Sequence, residues 1–402
     1  MPYQKNFIMD KITTFDLLVV YSERVATSAN SLSKNVIAPF SKNCGSENYN
    51  LVYSYFLETC QKNNLKTAFT TSADIIGAGE CQSYWLFKNK IWIKVRKKCF
   101  SKIIFDKFSP KSKGIKLRRK LFFSSKRIKP FNNPYIFNLC FDKQKTYDKF
   151  HKFSIPTIAI NGNTKKEINK KCQLLKEKIA NHPYRDDFTD EIIMKDRFGA
   201  GGRSVYKFKD NQSDSMTALI KKHQRISFII QAFVKFDKGF YYQNSPVSTD
   251  IRLIYLGGKI VQTYIRMASK GNFLCNEHKG GVLKYIPKNK IPSKVIAVSK
   301  NIAEILGKRS YLIAFDFIIS NNGNPYLLEA NTGPGLDWNL LIKENEIESK
   351  KLIRIIIKEI ARRINLSKNN FKRKTITTSP LDIPRTSEYP VLINSLATLK
   401  NN

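Results

Sequence analysis

AFDFIISNNGNPYLLEANTGPG, residues 314–335, reads as a β-hairpin that carries a hard-oxygen donor on each strand. Two apolar runs, 312–319 and 326–328, flank an Asn/Gly turn, which is a strong local hairpin signal. Asp316 interrupts the first run, and Glu329 and Asn331 end the second. A carboxylate inside an apolar strand is costly unless it is ion-paired or bound to a metal. Glu329 and Asn331 are two apart, so their side chains leave the same face of a strand. Oxygen donors converging in this way suit Mg²⁺, which combines carboxylates with nucleotide phosphates and water, with Mn²⁺ as an alternative. The hairpin therefore reads as a metal–nucleotide site.

Upstream, MKDRFGAGGRSV at 194–205 is a strand that delivers Lys195 into a loop containing Gly199, Gly201 and Gly202, followed by another strand. Such loops let backbone N–H groups fold over phosphates, and glycine permits the close approach. No Gly-Lys-Ser/Thr follows and a strand comes next, so this is not a Walker P-loop. Arg252 and Arg266 sit in otherwise apolar strands. A buried guanidinium needs a carboxylate or phosphate partner, so a phosphate role competes with ion pairs to Asp250 or Asp316. Beyond them NEHKGG, 276–281, is a polar loop that makes His278 a candidate site residue.

The rest of the chain supplies a frame. Strands are expected near 15–21, 67–70, 85–87, 91–95 and 103–108, with a helix over 51–63, and their alternation suggests a small α/β unit. The stretch 107–134 is basic and reads as turn-rich. Helices are expected over 143–153, 164–180 and 346–364, the last from isoleucines and a leucine at helical spacing. Strands are expected at 192–195, 205–208, 228–234, 251–256 and 260–268. The segment from 367 mixes Pro, Ser, Thr, Asn and Lys and reads as a tail.

Composition narrows the function classes. With 402 residues, 42% of them hydrophobic, the chain can bury a sizeable core. No apolar run approaches the roughly 20 residues needed to span a bilayer. Seven scattered cysteines without a C-x-x-C pair argue for reduced thiols in the cytoplasm. Lysine and arginine exceed aspartate and glutamate by 70 to 32, a formal +38, which points to anionic partners without identifying one.

Taken together, the run from 141 to about 364 resembles the ATP-grasp superfamily, in its RimK-type and glutathione-synthetase-like branch of carboxylate–amine ligases. DKQKT at 142–146, closing in IPT at 155–157, looks like the family's first motif, in which Lys143 contacts nucleotide phosphate. Lys195 matches the second nucleotide lysine, and Gly199, Gly201 and Gly202 match the loop over the phosphates. QAFV at 231–234 resembles the linker between subdomains, which assigns Gln231 and the backbone around Phe233 and Val234 to the adenine. Arg252, Arg266 and His278 match acceptor-side motifs and become the implied catalytic residues. Asp316, Glu329 and Asn331 match the Mg²⁺ ligands. Ala232 departs from a commonly acidic residue, and Asp196 stands where a proline is common.

The resemblance implies an α/β protein with α+β subdomains: an ATP-grasp fold behind an N-terminal pre-ATP-grasp α/β domain. The expected boundaries are 1–135 for that domain, 136–366 for the ATP-grasp domain (divided near 234) and 367–402 for a flexible tail. It further implies an ATP- and Mg²⁺-dependent ligase that joins a carboxylate to an amine through an acyl phosphate, releasing ADP and phosphate. The positive charge points to an acidic small-molecule or peptide substrate. Two alternatives are a basic binder of nucleic acid or acidic surfaces, and an ATP-grasp phosphotransferase without ligase activity.

Overall fold

The computed structural model describes residues 12–41, 47–307, 311–336 and 341–376, with side chains placed up to residue 366 except that of His278. Three sheets position the site.

The first sheet has six strands in the order Lys129–Pro130, Ile103–Lys107, Leu17–Tyr21, Thr67–Thr71, Tyr84–Lys88, Ile91–Val95. Its first four strands are parallel and its last two form a hairpin. Leu17–Tyr21 is buried along its whole length, as an apolar run in the middle of a parallel sheet must be. The hairpin turns at Asn89 and Lys90, both with positive φ, the backbone that a tight two-residue turn demands. Helix Tyr49–Lys62 packs Tyr53 against Tyr21, Phe40 and Phe69 in one aromatic cluster.

The basic stretch expected to be turn-rich instead contains helix Lys113–Phe122, whose N-cap Ser112 accepts a hydrogen bond from the Ile115 N–H. Only Ile115 and Phe122 of this helix are buried, so its apolar stripe is too narrow to register as a helical period. Arg119 fixes it in place, pairing with Asp106 at 2.6 Å and lying over the rings of Phe108, Phe123 and Phe137. Helix Pro134–Phe141 follows, and Asn132 before it binds the backbone of both Leu312 and Thr332. The first sheet is thus tied to the hairpin of residues 314–335.

The second sheet is antiparallel, ordered Thr157–Ala159, Phe228–Val234, Phe188–Asp196, Val205–Lys209. Its even-numbered residues Ile158, Ile192, Met194, Phe228 and Ile230 pack on helices Lys165–Ala180 and Ser213–Lys222 through Ile168, Leu175 and Met216. Strand alternation turns the odd-numbered Ile193, Lys195 and Gln231 to the opposite face.

The third sheet is ordered Val282–Tyr285, Lys259–Met267, Thr249–Leu256, Leu312–Ile319, Pro325–Asn331, all antiparallel. Ile251, Leu253, Tyr255, Ile313, Phe315 and Phe317 face a core completed by Val295 and Ile302 of helix Ser293–Ile305. The same alternation sends Asp250, Arg252, Tyr264, Arg266 and Asp316 to the other face. Helix Lys343–Ile376 begins with the buried Asn345, Ser349, Leu352, Ile353, Ile356, Ile357 and Ile360. Residues 362–402 form a separate unit, described only as the continuation of that helix to Ile376. Most of the expected tail, 377–402, lies outside the described residues. Among the described residues no helix is long and apolar enough to cross a membrane.

Candidate active site

A cavity of about 600 Å³ lies between the second and third sheets, lined by Lys195, Gln231, Phe233 and Val234 from one and by Arg252, Arg266, Asp316, Glu329 and Asn331 from the other. Lys143 and the loop with Gly199, Gly201 and Gly202 close one side. The structure thus brings together the candidate residues whose side chains it describes. The side chain of His278 lies outside the described part.

The floor is built by register. Tyr264 opposes both Tyr285 and Arg252, Arg252 opposes Asp316, and Asp316 opposes Glu329. One transverse row therefore crosses all five strands on a single face, where directly opposed side chains touch. Arg252 grips Asp316 with two bonds of 2.5 Å and donates to the Tyr264 hydroxyl at 3.0 Å. Arg266 reaches Asp250 at 2.7 Å and Asp316 at 3.1 Å. All four charged groups are buried. Burial works against the charge on Arg252, but Asp316 outweighs it and holds its pKa above the ordinary value. Burial and neighbouring Arg252 oppose the charge on Arg266, and Asp250 and Asp316 outweigh both. Burial alone would raise Asp316, yet the two arginines hold it below the usual carboxylate range.

The cover is built around two lysines. Lys195 donates to Gln231 Oε1 at 2.8 Å, and Gln231 donates in turn to Thr157 Oγ1 at 2.9 Å, so the glutamine and the lysine are held in one buried chain. Asp142 caps the helix that starts at Lys143 and pairs with Arg197 at 2.6 and 2.7 Å, fastening that helix to the glycine loop. Lys143 donates to the Gly199 carbonyl and lies 3.8 Å from Glu329 Oε1. Gly201 and Gly202 have positive φ. A Cβ on Gly202 would also meet Asn276 Oδ1 at 2.7 Å, so a side chain there collides with the NEHKGG loop.

Lys195 is buried, and burial together with the nearby Lys143 lowers its pKa to about 8, with Glu329 opposing. Its charged form is the one that attracts phosphate, so nucleotide affinity is expected to be full below pH 8 and to fall as pH rises through that value. A bound polyphosphate restores the charge, so binding near pH 9 should take up protons. Calorimetry of nucleotide binding in buffers of different ionisation heat checks this. Equal heats in all buffers would contradict it.

The donor chemistry fits a hard cation. Glu329 and Asn331 line the cavity with oxygens, and the Asn331 side-chain oxygen also accepts from the Gly333 N–H at 2.8 Å. Asp316 stands beside them with both oxygens engaged by arginine. Among the described residues no cluster of three or more His, Cys, Asp or Glu side chains forms a metal cage. Oxygen donors such as Glu329 and Asn331 suit an ion that takes the remainder of its coordination from phosphates and water. Tyr264 and Tyr285 escaped sequence reading as site partners, because cross-strand register is the one signal for them.

A family profile for the RimK-like ATP-grasp domain matches residues 154–356, about half of the chain. This chain belongs to the RimK-like ATP-grasp family. Among curated RimK-like relatives, a protein of Legionella pneumophila strain Corby named "Probable alpha-L-glutamate ligase" is 30% identical over 146 residues, 36% of this chain and 43% of that protein. One of the same name from Coxiella burnetii strain Dugway is 31% identical over 155 residues, 38% of this chain and 48% of that protein. The chain thus spans less than half the length of these curated relatives. D-alanyl-alanine synthetase A from Vibrio cholerae shares the ATP-grasp fold, with a TM-score of 0.54 over 87% of this chain and 98% of that one at 15% identity. The α/β architecture expected from the motifs is therefore the observed one.

Proposed function

We propose that this RimK-like ATP-grasp protein is an ATP-dependent carboxylate–amine ligase, with residues 1–135 as its pre-ATP-grasp domain. The observation that carries the proposal is the cavity itself: two lysines and a glycine loop on one wall face an Arg–Asp–Glu row on the other. A carboxylate oxygen of one substrate attacks the γ-phosphorus of ATP. An oxygen–phosphorus bond forms, the β–γ bridging bond breaks, and ADP leaves. The barrier is repulsion between two anions, which Lys143, Lys195 and the loop N–H groups offset. Glu329 and Asn331, with Asp316, would hold Mg²⁺, which supplies further charge neutralisation at the phosphates. Arg252 and Arg266 sit where they would orient the acyl phosphate while a neutral amine attacks its carbonyl carbon and phosphate departs.

The names of the relatives make L-glutamate the first amine to test. A cytoplasmic setting belongs to the same proposal and is supported by the six cysteines among the described residues, all free and buried. Incubation with Mg-ATP and pools of amino acids and short peptides, followed by nucleotide chromatography and mass analysis, tests the reading. Substrate-dependent ADP together with a new amide is expected. AMP and pyrophosphate in place of ADP would overturn it.

A further inference from the structure

A second cavity of about 220 Å³ adjoins the first and shares Lys143, Gly199, Glu329 and Asn331 with it. It is smaller than the roughly 300–1,000 Å³ typical of drug-sized ligands, so it suits a group about the size of one amino acid. Its other walls include Tyr21, Tyr49, Tyr53, Lys107 and Lys111, which precede the stretch matched to the family.

The charges on these walls are unequal. Asp106 is consumed by Arg119 at 2.6 Å, and Glu329 lies 3.8 Å from Lys143. Lys107 donates to the Pro334 carbonyl at 2.8 Å, which fastens the loop after Asn331 as one wall. Lys111 has no ion pair among the described residues; burial weakens its charged form most, nearby Asp196 favours it, and Lys143, Arg24 and Arg203 oppose it. Positive charge gathered at the rim of a small chamber selects for an anion.

We infer that this chamber seats the substrate beside Lys143 and that Lys111 is a specificity-determining residue, reading a carboxylate beyond the one that reacts. The class of substrate is then an amino acid or short peptide with more than one carboxylate. The inference rests on the ligase reading, but binding can be measured without turnover. L-glutamate and triglutamate, each against its glutamine counterpart, are titrated calorimetrically into the protein holding Mg-ADP. Affinity for at least one acid over its amide is expected. Lys111→Glu should weaken that acid by roughly 10- to 100-fold, the range for a charge-assisted contact. Lys111→Arg should restore it, and Mg-ADP affinity should stay the same in both variants.

Wild-type protein that binds neither acid, or binds acid and amide equally, overturns the inference. An unchanged acid-to-amide ratio in Lys111→Glu does so too. Where turnover is seen, the variant should raise the acid's KM and spare kcat; a loss confined to kcat would assign Lys111 a structural role and contradict the inference. Acid selectivity without any substrate-dependent ADP would instead count against the ligase reading and leave the chamber assignment standing.

Discussion

Replacing Glu329 with glutamine is expected to lower substrate-dependent ADP release by at least about 100-fold, the scale of losing one electrostatic contact in a preorganised site. The substitution keeps the shape of the side chain and removes its charge. Glu329 lies two residues before the end of strand Pro325–Asn331 at the cavity wall with its side chain 27% exposed, and its ion pair is the 3.8 Å contact with Lys143. A half-open pair of this length contributes little to folding, so the denaturation midpoint should barely move. On the proposed reading the carboxylate balances Lys143 and faces the phosphate end of the cavity, where a missing negative charge cannot be replaced by an amide. Steady-state rates and urea denaturation on the same preparation check both halves. Wild-type turnover in Glu329→Gln would remove this residue from the reaction.

Asp316→Ala is expected to behave differently and to cost about 3–5 kcal/mol of stability, the usual penalty for removing one partner of a buried ion pair. Asp316 has 3% of its side chain exposed and accepts from both Arg252 and Arg266. Among the described residues, truncation leaves Arg252 with only the Tyr264 hydroxyl and Arg266 with only Asp250. Two desolvated cations on adjacent strands then repel each other in a medium that screens them poorly. Urea unfolding followed by circular dichroism reads the loss. A change below about 1 kcal/mol, the level of exposed pairs, would show that solvent reaches the row. The contrast between the two carboxylates follows from their surroundings: both line the cavity, but Asp316 is locked in a buried arginine network while Glu329 is more open.

The hairpin was legible because its turn chemistry and its period-two pattern agree, and because two carboxylates and an asparagine in such strands have few reasons to be there. The glycine loop and Lys195 were legible for similar reasons. Arg252 and Asp316 were each visible, but their bidentate pairing was only one of the partnerships open to them, since opposing residues are set by strand register. The helix Lys113–Phe122 was hidden by its composition: its two buried positions are seven apart and the residues between are mostly basic. Its consequence is functional, because the segment before it carries Lys107 and Lys111 to the second cavity, across more than two hundred residues from Pro334. Contacts so distant in sequence leave no local pattern.

The central claim is that a substrate carboxylate, activated by the γ-phosphate in the Lys143–Glu329 corner, becomes an acyl phosphate. Amino-acid substrates labelled with heavy oxygen in their carboxylates test it most directly, with mass spectrometry of the released phosphate as the readout. The account expects one heavy oxygen from the substrate in each phosphate formed alongside ADP. Unlabelled phosphate, or label in AMP, would contradict it.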